Sequence, residues 1–427
     1  MVAFMKKEFT EKDLGRVSWV YTILISINFL NFFIGRAFGV GGMLFSIAFL
    51  GAAMIINYKS MLKIKVSAEP IVFIAIVFVY YFVTRNVAVS TLFGRDFMFY
   101  FAMAAVLGMY KCDAEKLLRN LSFLSILILV FYNEIFVELS TTRYNTSIAM
   151  GPSYAMYPLL LSGIMHFLFY REKAGAFQKI IYAIDAFLLI SLALKGTRGI
   201  IMSLVIFVAF LFVSKVLDKD RSGNIHALRV VVVGLLAIIL MNNLYSILEF
   251  FDNVFQEWGL DAYFLEKILN LNESGDVSNG RSAIYEFVWE SIKKNPFLGH
   301  GLSTTYYNSG FKYIYPHNMF LQLLYDGGFV LAIPVLLALF HLFWFIFKGD
   351  DRNEVVFCVF LTAVSLPQTF VSSDIWKNAL FWVIIIHSMR YYGKSRKEDK
   401  IKRKKKKNEP QKLDPDGKEE EQNDQGI

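Results

Sequence analysis

"GHGLSTTYYNSGFKYIYPHNMFLQLLYDGGF", residues 299–329, begins polar and aromatic and ends by dissolving into an apolar helix. It holds His300 and His317, two glycine clusters and five tyrosines. The run that follows is apolar and long enough to cross a bilayer. The rest of the chain has the same character: of 427 residues, 56% are hydrophobic, 16% aromatic and only 19% charged. Soluble domains sit near 45–50% apolar and about 25% charged, so the balance points to an all-α polytopic membrane protein.

A span needs roughly 17–25 mainly apolar residues. On that criterion about twelve transmembrane helices are expected, at 17–35, 38–57, 70–84, 96–110, 120–138, 153–170, 180–195, 199–216, 230–246, 325–347, 355–371 and 378–392. No small-residue cleavage pattern follows the first of them, which reads as an uncleaved span and not as a secretory signal.

Lysine and arginine set the orientation. Alternate loops carry Lys6, Lys7, Lys12 and Arg16; then Lys59, Lys63 and Lys65; then Lys111, Lys116 and Arg119. The pattern continues at Arg171 to Lys179, Lys215 to Arg229, and Lys348 with Arg352, and the tail adds Arg403 through Lys407. Most of the 44 basic residues thus fall on one side, which the positive-inside rule makes cytoplasmic, with both termini there. The net charge of +8 reports topology, and the Lys-rich tail reads as a solvated segment near anionic lipid rather than a nucleic-acid site. Cys112 and Cys358 fall in a cytoplasmic loop and inside a span, so no disulfide framework is expected. There is no CxxC, P-loop or GxGxxG, and no sign of a nucleotide domain; energy must come from a gradient or from the substrate.

The connections are short except one, roughly 247–317, which lies on the external face. The chain divides accordingly: 1–246 with spans one to nine, 247–317 as one large external loop before a late span, 318–392 with spans ten to twelve, and 393–427 as a basic cytoplasmic tail. Loops of this length are functional or disordered, and this one is too rich in Trp, Tyr, Phe and Leu for disorder. In "GRSAIYEFVWESIKKNPFLGHG" (280–301), Ile284, Phe287, Val288 and Ile292 keep helical spacing and Asn295-Pro296 supplies a stop, which predicts an amphipathic helix over the bilayer surface.

The outer face carries few basic residues, so Arg198 in "LALKGTRGII", Arg281 and Arg143 in "STTRYNTS" stand out. Each can be an ordinary interfacial arginine. Together they also suit phosphate oxygens, which the planar guanidinium matches bidentately, as in a lipid-linked diphosphate. His317 follows Pro316, and Asn318 is placed to orient its ring. A lone histidine beside a span is often structural. A metal site with His300 has only weak support, and neither metal nor cofactor is expected. His166, His341 and His387 read as packing or polar contacts. Asp185 in "YAIDAFLL" is an intramembrane acid, either functional or part of a buried structural pair.

"GTRG", "NGRSAIYEFVWESIKKNPFLGHG" and "PHNMFLQLLYDGGF" together resemble the signature regions of the O-antigen ligase and Wzy polysaccharide polymerase family, over residues 190–335. The resemblance implies ten to fourteen spans, a large external loop before a late span, and a glycosyltransferase of GT-C-like type. It implies a glycan donor on a polyprenyl diphosphate, already at the outer or periplasmic face. Arg198 and Arg281 fall on the family's diphosphate-binding arginines, His317 on its essential histidine with Asn318 beside it, and Asp326 on an acidic residue before glycine. Arg143 matches no motif. Positioned arginines can stabilise the leaving diphosphate, and a neutral imidazole can take the proton of the attacking sugar hydroxyl, with inversion at the anomeric carbon.

Two other activities stay open. The same motifs fit a ligase that moves the finished glycan onto a lipid core or protein. A flippase or permease also suits a many-span bundle, although intramembrane charge is sparse and the informative residues gather outside. A separate flippase and a chain-length regulator are the protein partners that such a pathway implies.

Overall fold

The computed structural model describes residues 10–38, 42–63, 67–84, 97–132, 146–195, 198–213, 244–259, 281–349, 351–371 and 373–390, with a few isolated positions between them. Among these residues every regular element is helical. In chain order the main helices are α1 (Glu11–Phe38), α2 (Gly42–Ile56), α3 (Ala68–Thr84), α4 (Ala114–Val130), α5 (Thr146–Tyr170) and α6 (Ala176–Lys195). They continue with α7 (Arg198–Val213), α8 (Leu244–Glu257), α9 (Ser282–Lys294), α10 (Met319–Lys348), α11 (Arg352–Val371) and α12 (Ala379–Arg390).

Each span expected from the sequence falls on one of these helices or, for 96–110, on a π turn at Phe97–Phe101 leading into Ala102–Leu107. The exception is 230–246, which lies almost wholly outside the described residues. Among the described residues, four helices are long and apolar enough to cross a membrane: Glu11–Gly35, Ala176–Leu194, Met319–Lys348 and Arg352–Phe370. Shorter apolar helices stand at Ile47–Ile56, Ala68–Thr84, Gly199–Phe212 and Ala379–Arg390.

The reason these sequences make a membrane bundle shows in their outward faces. On α10, Leu339, Leu342 and Ile346 are buried, yet Leu337 and Phe340 on the other side are 63% and 68% exposed. A helix that is apolar all round needs an apolar surrounding on its outer face as well. Inside the bundle, hydroxyls return to their own helices: Thr22 Oγ1 donates to Ser18 O (2.8 Å) and Ser26 Oγ to Thr22 O (2.7 Å). That is how small polar side chains are satisfied where no water reaches.

Helix α1 packs against α2, α4 and α5, and α4, α5 and α6 pack in succession. Helix α11 lies against α7 and α10, while α10 also meets α3 and α9. Beneath the N-terminal end of α10 sits an aromatic knot: Trp376 and Trp382 stack at 4.8 Å, Phe97 and Phe101 at 5.1 Å, and Phe101 meets Trp382 edge-on at 5.1 Å. This knot holds the short linker Asp374–Asn378 between α11 and α12. Trp376 is fully buried, and its indole Nε1 donates to Asp326 Oδ2 of α10 (2.7 Å). The linker is thereby fixed against the helix that follows the quoted loop.

Candidate functional site

Helix α10 is broken. At Gly328 the backbone leaves helical geometry (φ 56°, ψ −156°), a region open only to glycine. An unbroken helix would join the amides of Phe329 and Val330 to the carbonyls of Tyr325 and Asp326. Instead the segment Pro296–Gly301 inserts into the gap. Phe329 N donates to Pro296 O (2.9 Å) and Val330 N to Phe297 O (3.2 Å). In return His300 N donates to Tyr325 O (2.7 Å) and Gly301 N to Asp326 O (2.9 Å). The break therefore leaves none of these four groups unsatisfied, as backbone at membrane depth requires.

The glycines of the two motifs are what allow so close an approach. A Cβ on Gly299 (φ 67°) would stand 2.6 Å from Tyr325 O and 2.7 Å from Gly328 N. Tyr80 of α3 closes the joint: its hydroxyl donates to Asp326 O (2.8 Å) and also reaches Leu298 O. His300 belongs to the same structure, with Nε2 on Ser291 O (2.7 Å) and its ring stacked on Tyr325 at 5.0 Å.

The amphipathic helix expected after Arg281 is present as α9. It buries Ile284, Val288 and Ile292 and stops at Asn295. Its buried face is covered by Tyr325, with Leu321 and Leu324 beside it, so α10 is the surface that this helix packs on. Arg281 is its N-cap residue and half-buried.

The four residues Tyr315-Pro316-His317-Asn318 then turn the chain into α10. Proline restricts the residue before it to extended backbone. His317 follows in the left-handed region (φ 55°), where histidine is among the few tolerated side chains. Asn318 is extended and caps α10, its Oδ1 accepting from Phe320 N (3.0 Å) and Leu321 N (3.2 Å). This reversal lays the His317 ring against the Tyr315 ring, with centroids 4.0 Å apart. His317 Nδ1 is buried and meets no hydrogen-bond partner among the described residues. Burial, and secondly the positive charge of Arg281, lower its pKa to about 4. Both causes favour the neutral imidazole.

Two further elements close on this loop. Burial pushes the Tyr315 phenol up to about 12, with Asp374 adding to the rise and Arg281 opposing it; Tyr154 of α5 also faces it. Asp374 is held in place, its Oδ1 accepting from Gln322 Nε2 (2.6 Å) and Trp376 N (3.1 Å). The Tyr154 ring lies across the start of α7: a Cβ on Gly199 would meet its Cζ at 2.9 Å. Arg198 is the first residue of that helix, so its backbone stands next to Tyr154 while its side chain lies outside the described residues.

The structure therefore brings His317 and Arg281 together and sets the Arg198 backbone beside the same group of tyrosines. Asn318 adjoins them, but its Oδ1 serves the helix cap; the contact found for the His317 ring is Tyr315. Asp326 is fully buried behind the break, bonded to Trp376. Arg143 lies outside the described residues. Asp185 is elsewhere, buried between α6 and α4, where it accepts hydrogen bonds from Ser122 (2.8 Å) and Ser125. Among the described residues no group of three or more His, Cys, Asp or Glu has the arrangement of a metal site. Tyr315, Tyr154, Asp374 and Gln322 had not stood out in the sequence. Only Tyr315, next to the Pro-His-Asn motif, carried a local signal.

Over residues 183–336 the chain matches the family model Wzy_C, described as O-antigen ligase. These residues are thus similar to the O-antigen ligase family. The matched region contains Arg198, Arg281, His317, Asn318 and Asp326, and both the break in α10 and the segment inserted into it lie inside it. Tyr154, on α5, and Asp374, on the linker before α12, lie outside it. The chain shows no significant similarity to a curated protein or to a solved structure.

Proposed function

We propose that this chain polymerises oligosaccharide repeat units carried on polyprenyl diphosphate into a surface polysaccharide, at the external face of the cell membrane. One observation supports the reading above others: Arg281 and a histidine whose buried Nδ1 meets no partner among the described residues lie near one another at the start of a broken apolar helix, in the region similar to the O-antigen ligase family. Arg281 and Arg198 would hold the diphosphate. His317 would take the proton of the acceptor hydroxyl as its oxygen bonds the anomeric carbon; the bond from that carbon to the diphosphate breaks, and the lipid diphosphate leaves. Attack opposite the leaving group inverts the centre. Twelve spans, cytoplasmic termini and an external 247–317 segment complete the proposal. A cysteine at the exposed Lys312 should then react only from outside.

Similarity to the O-antigen ligase family favours a second reading, in which the finished glycan passes to a lipid core or protein. The two differ in acceptor, and loss of the protein separates them. A missing polymerase leaves single repeat units on the surface, whereas a missing ligase leaves long chains on their lipid carrier. In vitro, the purified full chain with a lipid-diphosphate-linked glycan should lengthen or transfer it. No transfer in any acceptor mixture, with the donor crossing the bilayer instead, would sink both readings in favour of a transporter.

A further inference from the structure

The Tyr315–His317 contact is built by the backbone and not by chance approach. Buried Pro316 separates the two residues, the left-handed turn at His317 folds one ring onto the other, and the Asn318 cap fixes where α10 begins. The pair is closer, at 4.0 Å between centroids, than an ordinary 4.5–7 Å aromatic contact. Groups from other elements lie near enough to act electrostatically on the pair: Asp374 on the linker before α12 and Tyr154 on α5 act on Tyr315, and Arg281 at the start of α9 acts on both rings.

We propose that Tyr315 is a positioning residue for His317, its ring fixing the imidazole plane and shielding it from water. The inference rests on the reading of His317 as the proton acceptor. Without the neighbouring ring the imidazole can rotate about its side-chain bonds and gains solvent on one face. Its geometry toward an acceptor hydroxyl then degrades, and the burial that keeps it uncharged is partly lifted. The phenol hydroxyl is not required for this, only the six-membered ring.

The test uses full-length protein in lipid vesicles, with Tyr315→Leu, Tyr315→Phe and His317→Gln. Glycan transfer is followed against donor concentration. In parallel, the ring of His317 is titrated by NMR on 15N-histidine-labelled protein, its signal assigned by its loss in His317→Gln. Leu should lower kcat about tenfold or more with the donor KM within about twofold. It should also move the His317 titration up from about 4 toward the ordinary value near 6.5. Phe should recover most of the lost rate and restore the wild-type titration. A wild-type rate in Tyr315→Leu, a lowered rate with an unmoved titration, or Phe as damaged as Leu would each overturn the assignment. If wild type transfers no glycan at all, the proposed function fails, and the titration alone still decides whether Tyr315 holds the imidazole.

Discussion

The nitrogens of His387 and His317 are treated in opposite ways. His387 on α12 is fully buried; its Nδ1 meets Gly108 O at 3.1 Å and its Nε2 meets Glu354 Oε2 at 3.0 Å. Glu354, equally buried, also pairs with Lys111 at 2.7 Å. Both ring nitrogens face acceptors, and these contacts tie three segments together. His317 has the unusual backbone, a ring partner at 4.0 Å, and a buried Nδ1 that meets no partner among the described residues. A completed polar network is scaffold, because nothing in it remains for a reactant. An incomplete one, held in place by strained backbone, is where chemistry should be sought.

That contrast breaks if the two histidines respond alike to substitution. His317→Asn keeps a side chain that tolerates left-handed backbone, and His317→Gln keeps hydrogen-bonding capacity. Both should lower glycan transfer by about 10²–10⁴-fold, the usual contribution of a general base, while the amount of folded protein stays near wild type. For the wild type, kcat/KM should hold as pH falls through 6.5 and decline only near 4. The sign follows from burial and Arg281, which both disfavour the protonated ring, so the base form persists to lower pH.

His387→Ala should do the reverse. Removing one partner leaves the Glu354 charge buried and less well matched, which costs on the order of 3–5 kcal/mol. Folded protein recovered in detergent, measured by thermal melting, should fall before specific activity does. Equal loss of specific activity in both variants at normal protein levels would end the distinction.

The joint between the inserted segment and α10 sharpens the same point, since its backbone groups are all satisfied and it should therefore act as scaffold. Gly328→Ala forces a Cβ into backbone that only glycine adopts, and places it 2.6 Å from Pro296 O. The strain alone is of order 1–3 kcal/mol, before the displacement of the Pro296–Gly301 segment. Melting should drop and activity fall with it, because α10 then no longer presents the Tyr315–Asn318 turn at the right place. An Ala variant that melts like wild type would show that the segment does not depend on the break.

How much of this was written in the sequence varies by level. Apolar periodicity and length placed the helices, since a span must be helical and its length is set by the bilayer. The α9 helix was legible to the residue, with Ile284, Val288 and Ile292 inward and Asn295 as the stop. The motifs single out His317 and Arg281, and in the fold Arg281 lies near enough to act on the His317 ring. The interlock was not legible. "NPFLGHG" and "DGGF" are about thirty residues apart in the chain, and nothing local tells that their amides and carbonyls exchange partners. Asp326 shows the consequence: the motif marks it only as an acidic residue before glycine, whereas in the fold it is bonded to Trp376, a residue of the linker between α11 and α12. Tyr154 and Asp374 reach the site only through tertiary contact, which no spacing rule records.

The smallest effect is expected at Tyr80, and it tests whether the scaffold half of the comparison is uniform. Its hydroxyl reaches Leu298 O of the inserted segment and Asp326 O of α10, so one proton serves both sides of the joint. The two carbonyls do not depend on it alone, because Asp326 O also accepts from Gly301 N. Tyr80→Phe keeps the ring and deletes the donor, which for a typical hydrogen bond costs about 0.5–1.5 kcal/mol. A melting point lowered by a few degrees, with kcat within about twofold of wild type, is the expected pair of results. A tenfold loss of kcat with unchanged melting would mean that the joint moves during the reaction and that Tyr80 governs that motion, so the clean division between completed scaffold and open chemistry would no longer hold.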